Sequence, residues 1–136
     1  MGDRKLSPHF RASEWECHGW NCCDHSCPEP HPLLLCALEE FRRHCGNRPV
    51  VIMSGFRCNR HNSTVSVAEH SFHPRSMAAD ITIAGLNAYE LAELAEGVEM
   101  FRHGGIGTYP GEFIYKQITY HGRIHVDIGP QRRWKG

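Results

Sequence analysis

The sequence predicts an α+β domain in which a small antiparallel sheet carries helices packed on one side. Three observations lead to this prediction. Apolar residues recur at helical spacing in the first third of the chain, and again after residue 87. Short β-branched and alternating segments dominate the later part, as is typical of half-buried strands. The length of 136 residues suits a single domain.

Helix starts are marked by capping residues. Ser13 and Glu16 have the spacing of a capping box and predict a short helix near residues 13–17. Pro32 suits the first turn of a second helix, which ends near Gly46. The apolar stripe of that helix is Leu34, Leu38, Phe41 and Cys45. Asn87 and Glu90 form a cap that opens a third helix. Its buried stripe is Leu91, Leu94, Ala95, Val98 and Phe101.

Five segments have the composition of strands. Residues 50–53 form an apolar run typical of a buried central strand, and residues 78–83 and 106–109 predict two more. Residues 112–120 and 123–128 predict a hairpin that turns at His121-Gly122. The polar stretch 54–76 predicts a long ordered loop, and such loops inside compact domains are usually functional.

The charge balance excludes one broad class of protein. Lysines and arginines number 15, and aspartates and glutamates also number 15, so the formal net charge is zero. Such balance argues against a protein that mainly binds nucleic acid or an anionic membrane. No apolar run approaches the ~20 residues of a membrane helix, and the first residues do not resemble a signal peptide.

Potential metal ligands are unusually frequent, with eleven histidines and seven cysteines. Four cysteines fall close together, at Cys17, Cys22, Cys23 and Cys27. A small structural zinc site is one interpretation, a loop of free thiols packed as small hydrophobes is another, and a disulfide formed in an oxidising medium is a third.

Strand alternation predicts a polar cleft. On residues 123–128 the apolar side chains share one face, and Arg123, His125 and Asp127 share the other. On the strand near residue 80, Asp80 faces away from the apolar neighbours. If the two strands are neighbours, Asp80, His125 and Asp127 converge. Two solvated polar faces are the alternative.

A third candidate ligand lies in the preceding loop. His73 and Asp80 are seven residues apart, so the loop can fold both onto one ion. A His, an Asp and a distant His form a plausible three-ligand zinc site with an open fourth position. Catalytic zinc needs that open position to hold and acidify water.

An ordered set of motifs runs along the chain: SGFR at 54–57, HN at 61–62, SxH at 71–73 with an aspartate at 80, and HVD at 125–127. This set resembles the zinc D-Ala-D-Ala carboxypeptidase family, whose wider group includes phage endopeptidases and the Hedgehog amino-terminal domain. The likeness is strongest to the short phage and prophage members. It implies one domain over 1–136, with a Cys/His-rich segment over 1–31 and a catalytic core over 32–134.

The resemblance also implies roles for individual residues. His73, Asp80 and His125 match zinc ligands. Arg57 matches an arginine that contacts substrate and stabilises an oxyanion, and Ser71 matches a serine at the substrate carboxylate. Asp127 matches an acid that either orients His125 or acts as the acid/base.

This sequence differs from the family it resembles at the positions where the family carries its general base. Phage endopeptidases place an acid three residues before the last ligand, where this chain has Gly122, and classical carboxypeptidases place a histidine two residues before it, where this chain has Arg123. Asp127 is the first candidate for the base, with His121 and Glu112 behind it. The segment 114–121 is also long beside the short relatives.

The sequence therefore predicts a zinc peptidase that cleaves peptidoglycan stem peptides as a monomer, without nucleic-acid or membrane partners. The alternative is a wall-binding or phage structural module that keeps the zinc but not the activity. We expect synthesis in the cytoplasm and action on the wall after release or as a phage product. Carboxypeptidase and endopeptidase activity use the same ligands, so the motifs leave that choice open.

Overall fold

The computed structural model describes residues 5–15, 30–54 and 77–136. The strands are β1 (Lys5–Ser7), β2 (Phe10–Arg11), β3 (Val51–Ser54), β4 (Ala78–Thr82), β5 (Gly105–Tyr115), β6 (Ile118–Asp127) and β7 (Arg132–Lys135). The α-helices are α1 (Pro32–His44), α2 (Ala88–Glu96) and α3 (Glu99–Arg102), and a 3-10 helix spans Ala12–Trp15. No helix among these residues is long and apolar enough to span a membrane.

Five strands form the main sheet, in the order β3-β4-β6-β5-β7. The first four pair antiparallel, and β7 pairs parallel with β5 at the edge. The predicted α+β class and the antiparallel sheet are confirmed, whereas the parallel edge strand was not predicted. The strands β1 and β2 form a separate two-stranded sheet.

The apolar face of the main sheet and the helices bury one continuous core. Ile81, Ile124 and Val126 lie on that face and are fully buried. Phe41 of α1 meets Phe101 of α3 edge to face, with ring centroids 6.4 Å apart. Because the alternate side chains of β4 and β6 point away from this core, a second face is left for polar groups.

Two helices begin where the sequence predicts. Pro32 opens α1, and the side chain of His31 accepts a hydrogen bond from the Leu33 amide. Asn87 and Glu90 form the predicted capping box at the start of α2. The single helix predicted after residue 87 is divided at Gly97 into α2 and α3.

The amino-terminal elements belong to the same core. Phe10 and Trp15 are buried, with ring centroids 6.3 Å apart. Glu39 of α1 accepts hydrogen bonds from the Ser7 hydroxyl and the His9 amide, and its other oxygen lies 2.6 Å from His9 Nδ1. The predicted helix near 13–17 is a 3-10 turn at Ala12–Trp15, and the residues from 16 to 29 lie outside the described ones.

The predicted hairpin turn at His121-Gly122 was wrong. The turn between β5 and β6 lies at Lys116 and Gln117, whose φ angles of 50° and 69° are those of a tight hairpin turn. Gly122 instead lies inside β6, where a Cβ would be 2.8 Å from the Cβ of Ala88. The glycine that suggested a turn is there because α2 packs closely against the strand.

Candidate functional site

The register between β4 and β6 places Asp80 directly opposite His125. Both side chains point to the polar face, and Asp80 Oδ1 lies 3.2 Å from His125 Nδ1. The predicted convergence of these two strands is therefore present. The backbone pairing fixes the contact, because a slip of one residue would send either side chain into the core.

His125 is held between two carboxylates. Its Nε2 lies 2.6 Å from Asp127 Oδ2, while its Nδ1 faces Asp80. The side chain of His125 is only 9% exposed. Burial lowers the pKa of His125, but the hydrogen bonds and charges of Asp127 and Asp80 raise it more, so the net pKa is raised. The pair of carboxylates thus favours positive charge at the imidazole, whether from a proton or from a cation.

Asp127 is completely buried, and both of its carboxylate oxygens have partners. Oδ1 accepts hydrogen bonds from the amides of Gly105 and Gly129, and Oδ2 accepts from Arg132 at 2.7 Å besides contacting His125. Burial raises the pKa of Asp127, but the bonds and charge of His125, with the two backbone amides, lower it overall. Asp127 therefore stays ionised and holds the imidazole in one orientation.

Two glycines of β5 make room on this face. A Cβ on Gly105 would lie 2.3 Å from Asp127 Oδ2, and a Cβ on Gly107 would lie 2.4 Å from Trp134 Cε2. Gly107 pairs with His125 across the sheet. The glycines therefore allow a carboxylate and an indole to lie directly over the strand, where any side chain would displace them.

The edge strand β7 supplies two residues that the sequence did not assign to the site. The ring of Trp134 lies 4.9 Å from that of His125, and its Nε1 donates to the Tyr109 hydroxyl at 2.6 Å. Arg132 lies over the Trp134 ring and binds Asp127. Alternation along residues 132–135 is the signal that could have placed Arg132 and Trp134 on one face, but β7 was not predicted as a strand.

The other candidates for a base are His121 on β6 and Glu112 on β5. His121 is four residues from His125, about 13 Å along the strand. Its Nδ1 lies 3.2 Å from Glu112 Oε1, and both side chains are well exposed. His121 and Glu112 are therefore separated from the His125 imidazole, although His121 and His125 lie on the same face of the sheet.

Several predicted site residues lie outside the described residues. They are Arg57, Ser71 and His73, together with Cys17, Cys22, Cys23 and Cys27. Within the described ranges, no group of three or more His, Cys, Asp or Glu side chains is arranged to hold a metal ion. The predicted metal trio needs His73 as its third member, so the described part of the chain contains two of the three.

Comparison with known proteins identifies the family. The chain is 33% identical over 95 residues to the probable peptidoglycan L,D-endopeptidase MepK of Haemophilus influenzae. That alignment covers 66% of this chain and 45% of the relative, so the chain spans less than half of the relative's length. Residues 8–115 match the family described as peptidase M15. The chain therefore belongs to the peptidase M15 family.

Proposed function

We propose that this protein is a zinc-dependent peptidase that cleaves the stem peptides of bacterial peptidoglycan. The observation that carries the proposal is the His125 imidazole, oriented by Asp127 at one nitrogen and facing Asp80 at the other. Membership of the peptidase M15 family and the printed name of the relative from Haemophilus influenzae support the reaction class and the substrate.

The donor atoms at this position fit a zinc ion. With its Nε2–H donated to Asp127, neutral His125 presents a lone pair on Nδ1, which is the form that binds metal. Two ligand atoms of a tetrahedral zinc, each about 2.0–2.1 Å from the metal, lie about 3.3 Å apart. The 3.2 Å between His125 Nδ1 and Asp80 Oδ1 matches that spacing. We propose His73 as the third protein ligand.

Each residue of the site contributes a separate function to hydrolysis. Zinc, when bound, supplies Lewis acidity that polarises a peptide carbonyl and acidifies a water molecule. Asp80 and His125 hold the ion. The ring of Trp134 packs against the imidazole. We propose that Arg57 binds the carbonyl oxygen as charge develops on it, and that Ser71 contacts a substrate carboxylate.

The sequence leaves two roles open for Asp127, which either orients His125 or acts as the acid/base. The contacts of Asp127 favour the orienting role. A general base must reach the proton it removes. The Asp127 carboxylate is fully buried, and its two oxygens already contact two amides, one guanidinium and one imidazole. We propose that Asp127 acts through His125.

The printed name of the relative favours endopeptidase over carboxypeptidase activity. The test is digestion of purified peptidoglycan by the zinc-loaded chain, with the products identified by mass spectrometry. An endopeptidase releases cut stems and opens cross-links, whereas a carboxypeptidase releases only terminal D-alanine. We expect peptide fragments from the unmodified chain and none from His125→Ala.

The control for that digest is Glu96→Gln, which removes a surface carboxylate that binds Arg133 far from His125. It should digest peptidoglycan at the unmodified rate. Stoichiometric zinc and wall binding without any released product would overturn the peptidase proposal in favour of a binding module. Equal digestion by His125→Ala and the unmodified chain would overturn the proposed site.

A further inference from the structure

The guanidinium of Arg123 lies on the polar face of the sheet, next to the candidate site. Arg123 pairs with Tyr109 across β5 and β6, and its guanidinium lies over the tyrosine ring, 4.8 Å from the centroid. Both side chains are half-buried. This cation–π contact fixes the position of the guanidinium on the polar face.

The guanidinium of Arg123 has no anionic partner in the described part of the chain. The other arginines on or beside this face have one: Arg132 binds Asp127, and Arg133 binds Glu96. No carboxylate among residues 5–15, 30–54 and 77–136 lies within ion-pair distance of Arg123. A half-buried guanidinium that lies over a tyrosine ring and has no counter-ion among the described residues is suited to bind an anionic group from outside.

An anionic group bound by Arg123 would lie close to His125 of the candidate site. Arg123 and His125 are two residues apart on one face of β6, about 7 Å along the strand. Tyr109 also accepts the hydrogen bond of Trp134, whose ring contacts His125. One continuous row of side chains thus joins the guanidinium to the imidazole. An extended peptide advances about 3.3–3.6 Å per residue, so 7 Å corresponds to about two residues of substrate.

We propose that Arg123 is a specificity-determining residue that binds a free carboxylate of the peptide substrate, within about two residues of the bond that is cleaved. The inference rests on the proposed peptidase function and adds a substrate class to it, namely acidic peptides. Arginine binds a carboxylate through two parallel N–H···O bonds, and amidation of that carboxylate removes the charge and one of the two acceptors.

Two pairs of synthetic stem peptides test the proposal. The first pair carries D-glutamate with its α-carboxylate either free or amidated, and the second pair has its carboxyl terminus either free or amidated. Binding to the metal-free chain is measured by titration, so that the readout does not depend on hydrolysis. The zinc-loaded chain then gives KM and kcat for the same peptides.

We expect the unmodified chain to bind the free carboxylate of one pair about tenfold to a hundredfold more tightly than its amide. Arg123→Gln should abolish that preference and raise KM by the same factor, with kcat within about twofold. Arg123→Lys should restore part of the preference, because it keeps the charge but not the fork. The pair that shows the preference identifies the carboxylate.

Lys135→Gln is the matched control, since Lys135 also lies over a tyrosine ring, that of Tyr89. Lys135 follows Trp134 on β7, so its side chain points to the opposite face of the sheet. Lys135→Gln should keep the full preference. Equal binding of free and amidated forms in both pairs by the unmodified chain would overturn the inference, as would a preference that survives in Arg123→Gln. A carboxylate preference that Arg123→Gln abolishes, without any hydrolysis, would overturn the proposed function and the role of Arg123 beside a cleaved bond, and would leave only its carboxylate binding.

Discussion

Asp80 lies directly across the sheet from His125, with its Oδ1 3.2 Å from the imidazole Nδ1. The opposite nitrogen of the same ring contacts the fully buried Asp127. One imidazole between two carboxylates on a rigid sheet is an arrangement that both orients the ring and attracts a cation.

Replacing Asp127 with asparagine should weaken metal binding. The amide can accept hydrogen bonds through only one atom and carries no charge, so His125 loses its anionic partner while the side-chain shape is kept. We expect zinc affinity or peptidase activity to fall about 10- to 100-fold. Competition against a chromogenic chelator measures the affinity, with Glu96→Gln as the control that removes an exposed ion pair. Unchanged affinity in Asp127→Asn would contradict the positioning role.

Replacing Gly107 with alanine should displace Trp134. The new Cβ would lie 2.4 Å from the indole, so either the ring or the strand β7 must move. We expect a loss of about 1–3 kcal/mol in the free energy of unfolding, typical of an overpacked site. Denaturant unfolding measures the change.

A double variant separates that steric effect from any other effect of the alanine. In Trp134→Leu the indole is absent, so Gly107→Ala should cost clearly less than it does in the unmodified chain. If the double variant loses the sum of the two single losses in the free energy of unfolding, Gly107 is not needed to accommodate Trp134.

Glu39 should stabilise the fold in a pH-dependent way. Burial raises its pKa, but the Ser7 hydroxyl, the His9 side chain and the His9 amide lower it overall from the ordinary 4.5. A lowered pKa in the folded state means that the stabilisation is complete above about pH 4.5 and is lost as the pH falls through the folded-state pKa.

Glu39→Gln should therefore lower the free energy of unfolding by about 1–3 kcal/mol at pH 5.5. The difference from the unmodified chain should shrink between pH 4.5 and pH 2.5, as measured by denaturant unfolding across that range. Exposed Glu93 is the matched position, and Glu93→Gln should change stability little at either pH. A difference for Glu39→Gln that stays constant down to pH 2.5 would rule out this stabilisation.

Cys36 in α1 and Cys45 at the carboxyl end of that helix should differ in their reactivity toward alkylating reagents. Burial raises the pKa of Cys45 to about 11, although Arg48 opposes the shift, whereas Cys36 is exposed. At pH 8 the thiolate fraction of Cys45 is on the order of one part in a thousand. Iodoacetamide should alkylate Cys36 but not Cys45 in the folded chain, and both in the denatured chain, as read by peptide mapping. Equal alkylation of both in the folded chain would be inconsistent with the burial of Cys45.

Local sequence rules predicted much of the fold and three residues of the described site. Strand alternation put Asp80, His125 and Asp127 on the polar face, and the capping box at Asn87 and Glu90 marked the start of α2. The resemblance to a family of peptidoglycan metallopeptidases is confirmed by membership of the peptidase M15 family. These features could be predicted because each depends on residues close together in the chain.

The rest depends on contacts between distant elements, which local patterns do not encode. Gly122 looked like a turn residue, but its need for space comes from Ala88, and the actual turn at Lys116 and Gln117 has no glycine. Trp134 and Arg132 reach His125 and Asp127 only because β7 pairs parallel with β5. The assignments of Arg57, Ser71 and His73 stay predictions, since these residues lie outside the described ranges.

The zinc content of purified Asp80→Ala, compared with the unmodified chain and with Cys22→Ala, tests the central claim most directly. Metal analysis by mass spectrometry gives the number of ions per chain, and circular dichroism confirms that each variant is folded. We predict that Asp80→Ala holds one zinc ion fewer than the unmodified chain, and that Cys22→Ala keeps the ion that Asp80→Ala loses. Equal zinc content in folded Asp80→Ala and the unmodified chain would contradict a metal site at Asp80 and His125.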